Sequence, residues 1–431
     1  QDGAGIACVG FDVDPGLPYY QLEKSCSTLP LADVFERIAR QIEAARPEHQ
    51  AAPTAARSLG SPFCAELYLG HVRYGTYGQR HLQACHPMVA DSSWRNQTLL
   101  LAGNFNLTNT RTLFDQLVDS GHHPRSRQDC DILLSLLVHT LKKQSQARQG
   151  NDAIDLFGML NAAAPDWDGG FVICGALGNG EAFAVRDRAG IRPAFYYFDD
   201  DIAVVASERA AIQTAFNLAS AEVHELPPGH ALAIPKNGDL QIERCLPEAP
   251  PRRCVFERIY FSRGSDADIQ RERRALGRAL VPDVLEAVGH DYDNTVFSYI
   301  PNTAQISFHG MLDELDELRQ GHKVRFAQIA VKDAKFRTFI ADAEQRKDLF
   351  PHVYDVTYGI IRPGTDNLVV IDDSIVRGNT LRNAILPILD RLSPRQIVVA
   401  SSAPPICYPD CYGIDMASFG ELVAFEALLD V

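Results

Sequence analysis

The sequence lacks the features that would direct a chain to a membrane or an oxidising compartment. No apolar run approaches the roughly 18 residues that a membrane span requires. No secretory signal peptide is visible. The ten cysteines are scattered without a CxxC pair, which is typical of small buried thiols in a reducing compartment. We therefore predict a cytoplasmic protein.

The sequence has fewer basic residues than acidic ones. The chain has 41 Lys and Arg against 55 Asp and Glu, a formal net charge of −14. This argues against a general nucleic-acid binder, which needs clustered basic side chains. The 46% hydrophobic and 22% charged residues indicate a globular protein with a sizeable core. A length of 431 residues suggests two or three domains.

The first half has the pattern of an antiparallel, layered domain. Helices are predicted at Ala32–Ala45 and Asp131–Lys143, where apolar residues recur at helical spacing. A hairpin turn is predicted at Asn237-Gly238. Strands are predicted at Thr98–Ala102, Gly170–Leu177, Glu181–Arg186, Ala194–Phe198, Ile202–Ala206, Ala231–Ile234 and Leu240–Ile242. Strands with helices outside them suggest a sandwich.

The pattern changes after a proline-rich linker at Leu246–Arg253. Strands and helices then alternate, which predicts a doubly wound parallel sheet with its ligands at the carboxyl ends of the strands. The strands are expected at Asn294–Tyr299, Asn367–Ile371 and Gln396–Ala400, and the helices at Ala304–Leu318 and Thr380–Leu392.

The most informative segment is Leu368–Thr380, a buried strand followed by two carboxylates and a turn. Asp372 and Asp373 at the strand tip can accept hydrogen bonds from ribose hydroxyls or hold a hydrated Mg²⁺. Gly378 lets the backbone approach a ligand, and a helix N-terminus follows. The plainer interpretation is a solvated acidic pair with a threonine cap.

This segment resembles the signature of type I phosphoribosyltransferases, and its ending resembles the glutamine phosphoribosylpyrophosphate amidotransferase family. The resemblance implies that Asp372 and Asp373 contact the ribose and that Thr303 meets the pyrophosphate. It also implies Mg²⁺ held through the substrate at these three residues, and a mobile loop that carries Lys335 and Arg337. The turn around the 5′-phosphate would comprise Ser374, Ile375, Val376, Arg377, Gly378, Asn379 and Thr380.

The first half carries motifs of the same family. Gln1–Gly5 resembles its QDxAG motif, and Asn104–Asn109 its NGNLTN motif with Phe105 in place of glycine. The resemblance implies an N-terminal-nucleophile glutaminase with a four-layer αββα sandwich. Asn104 and the N–H of Phe105 would form the oxyanion hole. The glutamine-binding residues would be Arg73, Tyr74, Thr76 and Asp129.

Each of these residues also has an ordinary structural interpretation. Arg73 can be a surface arginine, Asn104 can cap a turn, and Asp129 can cap the following helix. None of the ten cysteines fits the family's N-terminal nucleophile, and Cys8 is expected in the core of a strand. We expect the nucleophile to precede Gln1; a mature terminus beginning Cys-Gly would support this.

The resemblance implies a glutaminase domain over residues 1–247 and a phosphoribosyltransferase domain over 254–431. Together they would make 5-phosphoribosylamine, glutamate and pyrophosphate from phosphoribosyl pyrophosphate, glutamine and water. Purine nucleotides are the expected inhibitors, and a homodimer or homotetramer the expected assembly. Some relatives carry an iron–sulfur cluster, and Cys254 has a family-like position for it. We expect no cluster, because the spacing of Cys407 and Cys411 matches no ligand set and Asp410 stands where such relatives would place a ligand.

Two other functions remain open at this point. A glucosamine-phosphate synthase would share the first half but would lack the acidic strand-end motif. A catalytically reduced paralogue could keep the phosphoribosyl pyrophosphate pocket as a regulator or an ammonia-only enzyme.

Overall fold

The computed structural model describes residues 2–50, 61–73, 82–147, 154–236, 240–319, 321–332, 354–409 and 418–429. The chain divides into two compact units, the first ending at Arg253 and the second beginning at Cys254. Within the described ranges, no helix is both long enough and apolar enough to cross a bilayer.

The first unit is built on twelve described strands and five helices. The strands are β1 (Gly3–Val9), β2 (Tyr20–Ser25), β3 (Leu67–Arg73), β4 (Met88–Ala90), β5 (Leu99–Leu107), β6 (Gly169–Leu177), β7 (Ala182–Arg186), β8 (Phe195–Phe198), β9 (Ala203–Ala206), β10 (His224–Glu225), β11 (His230–Ile234) and β12 (Gln241–Arg244). The helices are α1 (Pro30–Gln50), α2 (Thr110–Asp119), α3 (Asp129–Ala147), α4 (Leu156–Ala163) and α5 (Arg209–Phe216).

Side-chain alternation along the strands produces four layers. Helix α1 covers one face of the antiparallel sheet β2–β1–β3, where Ala4 packs with Val34 and Ile38. The other face of that sheet packs through Val9 against Leu100 of the sheet β12–β11–β7–β6–β5–β4. Helices α2–α4 bury their apolar faces on the far side of the larger sheet. The predicted αββα sandwich is therefore confirmed.

A buried polar centre lies in the segment at the end of β7, Arg186–Pro193. The Asp187 carboxylate accepts hydrogen bonds from the N–H groups of Phe171, Ala189, Ile191 and Arg192, at 2.9–3.3 Å. Arg186 is fully buried and donates to the Arg192 carbonyl at 2.7 Å. These bonds satisfy polar groups that would be costly to bury alone. The segment therefore holds the turn after β7.

Most predicted strand positions are confirmed, with one instructive error. The strand predicted over Thr98–Ala102 continues to Leu107, because β6 pairs with it up to Gly169. Asn104 consequently lies within a strand, so a turn-capping role for it is wrong. The predicted hairpin strands pair as β11 and β12, but its Asn237-Gly238 turn lies outside the described residues.

The second unit contains a parallel four-stranded sheet and a separate two-stranded pair. The strands are β13 (Thr295–Tyr299), β14 (Arg325–Phe326), β15 (Ala330–Lys332), β16 (Tyr354–Val356), β17 (Asn367–Asp372) and β18 (Gln396–Ser401). The helices are α6 (Ala267–Ala279), α7 (Val281–Ala287), α8 (Gln305–Leu318), α9 (Leu386–Asp390) and α10 (Val423–Leu429).

The sheet order is β14–β13–β17–β18, with apolar clusters on both faces. Val369 and Ile371 pack toward α7 and α8, whereas Leu368 and Val370 pack toward α9. Both faces of β17 are therefore buried, as its continuous apolar run indicates. This confirms the doubly wound sheet and directs the end of β17, Asp372, to the carboxyl edge.

One ion-pair network fixes the opposite end of β17. The fully buried Asp366 carboxylate binds Arg325 through two bonds of 2.7 and 2.9 Å and Arg362 at 2.7 Å. Burial alone would raise the pKa of Asp366, but hydrogen bonds from the two guanidinium groups outweigh burial and hold it well below its ordinary value.

We predict that Asp366→Asn destabilises the protein by about 3 kcal/mol, because it leaves the two arginines without their shared carboxylate. The depressed pKa means that this stabilisation is present above about pH 4 and is lost as the pH falls below it. Urea denaturation at pH 7 and at pH 3 measures both effects. Asp390→Asn, at an exposed position, is the control; equal midpoints for the two variants would contradict the prediction.

Candidate functional site

The first candidate site lies where the two sheets of the first unit meet. Arg73 and His71 end strand β3 on the side that faces the larger sheet, continuing the row of Leu67 and Leu69. Asn104 occupies the facing row of β5, which contains Leu100. Strand alternation thus places Arg73 and Asn104 on the facing sides of the two sheets, with Asn104 exposed. Tyr74 and Thr76 lie outside the described residues.

Small residues in β1 make this space possible. A Cβ on Gly3 would lie 2.4 Å from the Cys85 sulfur, and one on Gly5 would lie 2.2 Å from the His86 carbonyl oxygen. Real Cβ atoms do not approach so closely, so these glycines allow the segment at Cys85–His86 to lie against β1. The small residues of the QDxAG-like motif therefore have a packing role here.

The edge of β5 presents backbone donors at alternate residues. The Gly103 N–H donates to His86 Nδ1 at 3.3 Å. Phe105, two residues after Gly103, directs its N–H to the same edge. Leu107, two residues after Phe105, donates its N–H to Asp129. The Phe105 donor therefore lies between an imidazole and a carboxylate, about 7 Å from the neighbouring donors.

Asp129 is the first residue of α3, and its carboxylate accepts from the Cys130 N–H at 2.9 Å. The Gln128 carbonyl accepts the Ile132 N–H, which places Gln128, not Asp129, in the capping position. Burial raises the pKa of Asp129, and the bonds from Cys130 and Leu107 oppose this rise. A partly desolvated carboxylate at this point suits a cationic amine.

Sequence reasoning missed Lys24. It pairs with Gly5 across β1 and β2, so its side chain faces the larger sheet. Burial lowers the pKa of Lys24, while the nearby Cys85 and Cys130 oppose the change. Lys24 is thus a second cation on the same side of this sheet as Arg73. The alternation of side chains along β2 was the sequence signal that could have identified it.

Several described cysteines are buried thiols rather than activated nucleophiles. Cys85 interacts with Arg73, yet it is fully buried and burial raises its pKa. Burial also raises the pKa of Cys8 to about 11 and that of Cys130 to about 12. Cys8 lies in β1 and is buried, as expected of a core thiol.

The second candidate site lies at the carboxyl edge of the parallel sheet. The carbonyls of Asp372 and Asp373 accept N–H bonds of 2.9 Å from Ser402 and Ala403, just beyond β18. On the other side, the Ile300 N–H donates to the Ile371 carbonyl at 2.9 Å. The acidic pair is therefore held between the segments that follow two neighbouring strands.

The loop after β13 contacts the acidic pair directly. Thr303 hydrogen-bonds to the Asp373 carboxylate, which also accepts from the Ser374 hydroxyl at 3.1 Å. A cis peptide bond joins Pro301 to Asn302 in this loop. The structure thus brings together Thr303 and the two carboxylates, while Lys335 and Arg337 lie outside the described residues.

Both carboxylates are destabilised as anions. Burial, and then the charge of Asp373, raise the pKa of Asp372 to about 7. Burial also raises the pKa of Asp373, and hydrogen bonds from Ser374 and Thr303 partly oppose it. Hydroxyl donors or a divalent cation would relieve this repulsion, so the donor set fits ribose hydroxyls and Mg²⁺. No cluster of three metal-ligating side chains occurs in the ranges that the structure describes.

The turn from Ser374 to Thr380 is held at its middle and end. The Val423 N–H donates to the Val376 carbonyl at 2.9 Å, and Arg377 forms a 3.2 Å ion pair with Glu421. Gly378 has φ +67°, a left-handed conformation that favours glycine. The predicted helix from Thr380 instead starts with a π-helical turn, Leu381–Ile385, before α9. Arg377, Asn379 and Thr380 are exposed at this turn.

Sequence reasoning also missed two residues near the acidic pair. Burial raises the pKa of Tyr354, with further contributions from the charges of Asp372 and Asp373. Arg273 on α6 is buried and its charge acts on Asp373. Neither residue lies in a motif, because each reaches the site from a distant element.

The chain folds as an αββα sandwich followed by a doubly wound parallel sheet. A family profile described as a glutamine amidotransferase domain matches residues 80–214. Over most of its length the chain is similar to amidophosphoribosyltransferases, which confirms the resemblance inferred from its motifs.

Two relatives illustrate the similarity. The Pseudomonas aeruginosa amidophosphoribosyltransferase is 27% identical over 370 residues, which cover 83% of this chain and 70% of that protein. The Escherichia coli enzyme of the same name is 28% identical over 374 residues, covering 84% and 70%. The solved glutamine phosphoribosylpyrophosphate amidotransferase of B. subtilis, complexed with ADP and GMP, shares the fold with a TM-score of 0.72. That match has 24% identity and covers 99% of this chain and 80% of the other.

We predict that Asp372→Asn stabilises the unliganded protein, and more so at pH 8 than at pH 5. The pKa of Asp372 is raised on folding to about 7, so the native state loses stability as the pH rises from about 4 through 7. The gain at pH 8 is at most about 4 kcal/mol. Urea denaturation across this range provides the test, with Asp390→Asn as the control. A stability difference that does not change with pH would contradict the assigned shift.

Proposed function

We propose that this protein is a glutamine-dependent amidophosphoribosyltransferase of de novo purine biosynthesis. It makes 5-phosphoribosylamine, glutamate and pyrophosphate from phosphoribosyl pyrophosphate, glutamine and water. The observation that carries the proposal is the pair Asp372 and Asp373 at the tip of β17, hydrogen-bonded to Thr303 of the neighbouring loop. The arrangement of Arg73, Asn104 and Asp129 in the first unit supports the glutamine-handling half.

In the glutaminase unit, the Arg73 guanidinium grips the α-carboxylate of glutamine through two parallel bonds. The partly desolvated Asp129 carboxylate pairs with the α-amino group. When a thiolate attacks the side-chain amide carbon of the bound glutamine, the carbon–nitrogen bond breaks and the nitrogen leaves as ammonia after protonation. The Asn104 amide and the Phe105 N–H stabilise the oxyanion formed in this step. Water then releases glutamate from the thioester.

In the transferase unit, Asp372 and Asp373 accept hydrogen bonds from the two ribose hydroxyls. The turn from Ser374 to Thr380 surrounds the 5′-phosphate with backbone N–H groups, and the loop that carries Thr303 meets the pyrophosphate. Ammonia forms a bond to C1 while the bond from C1 to the pyrophosphate oxygen breaks. The carboxylates hold the sugar in line for this displacement. Mg²⁺, when bound with the substrate, would neutralise charge on the leaving pyrophosphate.

The remaining features of the proposal follow the family. Purine nucleotides act as feedback inhibitors, the chain assembles as a homodimer or homotetramer, and the activity is cytoplasmic. Lys335 and Arg337 contact the pyrophosphate, and Tyr74 and Thr76 contribute to the glutamine pocket.

The transferase half is tested by Asp372→Asn combined with Asp373→Asn. We expect ammonia-dependent formation of phosphoribosylamine to be abolished while the protein stays folded, because the ribose loses both acceptors. Product formation and circular dichroism are measured on the purified protein, with Asp390→Asn as the matched control. Undiminished turnover in the double variant would remove this site assignment.

The glutaminase half is tested by Arg73→Ala. Loss of two charge-assisted hydrogen bonds should raise the KM for glutamine by roughly a hundredfold or more and leave the ammonia-driven reaction unchanged. Arg73→Lys keeps the charge without the bidentate geometry, so its KM for glutamine should lie between those of the wild type and Arg73→Ala. Equal damage to the glutamine and ammonia reactions would refute a carboxylate-binding role.

A further inference from the structure

His86 contacts β5 on both sides of Asn104. Its Nδ1 accepts the Gly103 N–H at 3.3 Å. Its ring stacks on Phe105, with 5.2 Å between centroids and 18° between planes. The residues before and after Asn104 therefore share one neighbour, the His86 imidazole.

The imidazole is itself held in place. His71 of β3 packs against it with 4.6 Å between ring centroids. The His86 carbonyl lies against Gly5, where no Cβ could fit. Burial lowers the pKa of His86 to about 3, and the charges of His71 and Lys24 add to this. His86 is thus neutral at physiological pH, which its acceptor role requires, since an imidazolium has no acceptor nitrogen.

Phe105 provides the ring that His86 contacts. The family motif has glycine at this position, whereas here the phenyl ring lies on the face of β5 opposite Asn104 and packs against the helix-side core. The ring also lies against Gly103, since a Cβ on that residue would lie 2.9 Å from the Phe105 ring and 2.3 Å from the Val172 carbonyl oxygen. The stack on His86 completes the packing of the ring, and the bond to Gly103 holds the strand edge.

We propose that His86 is a positioning residue that holds the Asn104 side chain and the Phe105 N–H in register as an oxyanion hole. The other end of the same edge is held by Asp129 through Leu107. This inference rests on the proposed glutaminase activity. The physical requirement is strict, because displacing a reacting group by about 1 Å can slow a reaction by about a hundredfold.

Two substitutions separate the two contacts. His86→Asn keeps an acceptor near the Nδ1 position and removes the stacked ring, whereas His86→Phe keeps a ring and removes the acceptor. We expect each to lower kcat for glutamine hydrolysis by about 10- to 100-fold. The KM for glutamine and the ammonia-dependent rate should stay within about twofold, because Arg73, Asp129 and the transferase unit are untouched. The control is His224→Phe at an exposed position, which should change nothing.

A double-mutant cycle tests the stack itself. In a Phe105→Gly background there is no ring to hold, so His86→Asn should cost less than it does in the wild type. An equal cost in both backgrounds would overturn the role of the stack. Unchanged kcat in both single variants, or parallel loss of the glutamine and ammonia reactions with lower thermal stability, would overturn the positioning role. Absence of glutamine hydrolysis in the intact wild-type protein would refute the proposed function and this inference with it.

Discussion

Two adjacent carboxylates at the end of a buried strand impose the main physical constraint on the second unit. Burial and mutual repulsion raise the pKa values of Asp372 and Asp373, so the unliganded edge of the sheet stores an unfavourable charge arrangement. The surrounding structure tolerates it because β17 is apolar on both faces and its far end is fixed by Asp366. Hydroxyl donors of a ligand, or a cation, would provide the hydrogen bonds or positive charge that these carboxylates lack, so the unfavourable arrangement favours binding.

In the first unit, the main constraint is that backbone N–H donors are exposed at the edge of a sheet. Strand β4 pairs with β5 only up to Leu101, and the edge beyond it carries the N–H groups of Gly103, Phe105 and Leu107. The first is directed to an imidazole and the last to a carboxylate. Glycines in β1 permit this arrangement by letting the loop at His86 lie close. The glycines of β1, His86 and Asp129 are far apart in the sequence, yet all of them affect the same edge of β5.

Local patterns allowed much of the fold to be predicted, and the failures have physical causes. The apolar runs of β13, β17 and β18 gave the parallel sheet, because burial on both faces leaves a continuous hydrophobic signature. The extension of β5 through Gly103, Asn104 and Asn106 could not be predicted, since these residues have low strand propensity and are held by pairing with β6. The acidic strand end was visible locally, whereas His86 and Tyr354 reach their sites through tertiary packing, which leaves no spacing signal in the sequence.

The hydrogen bonds beyond β18 have a further consequence for how such a chain can change. Ser402 and Ala403 each give one N–H to the acidic pair, and the two residues that follow are Pro404 and Pro405, which have none to give. An insertion or deletion before Ala403 would shift these donors out of register with the backbone carbonyls of Asp372 and Asp373, but one beyond the prolines would not. Length variation among descendants of this chain should therefore accumulate after Pro405, where regulation can diverge without disturbing the sugar-binding edge.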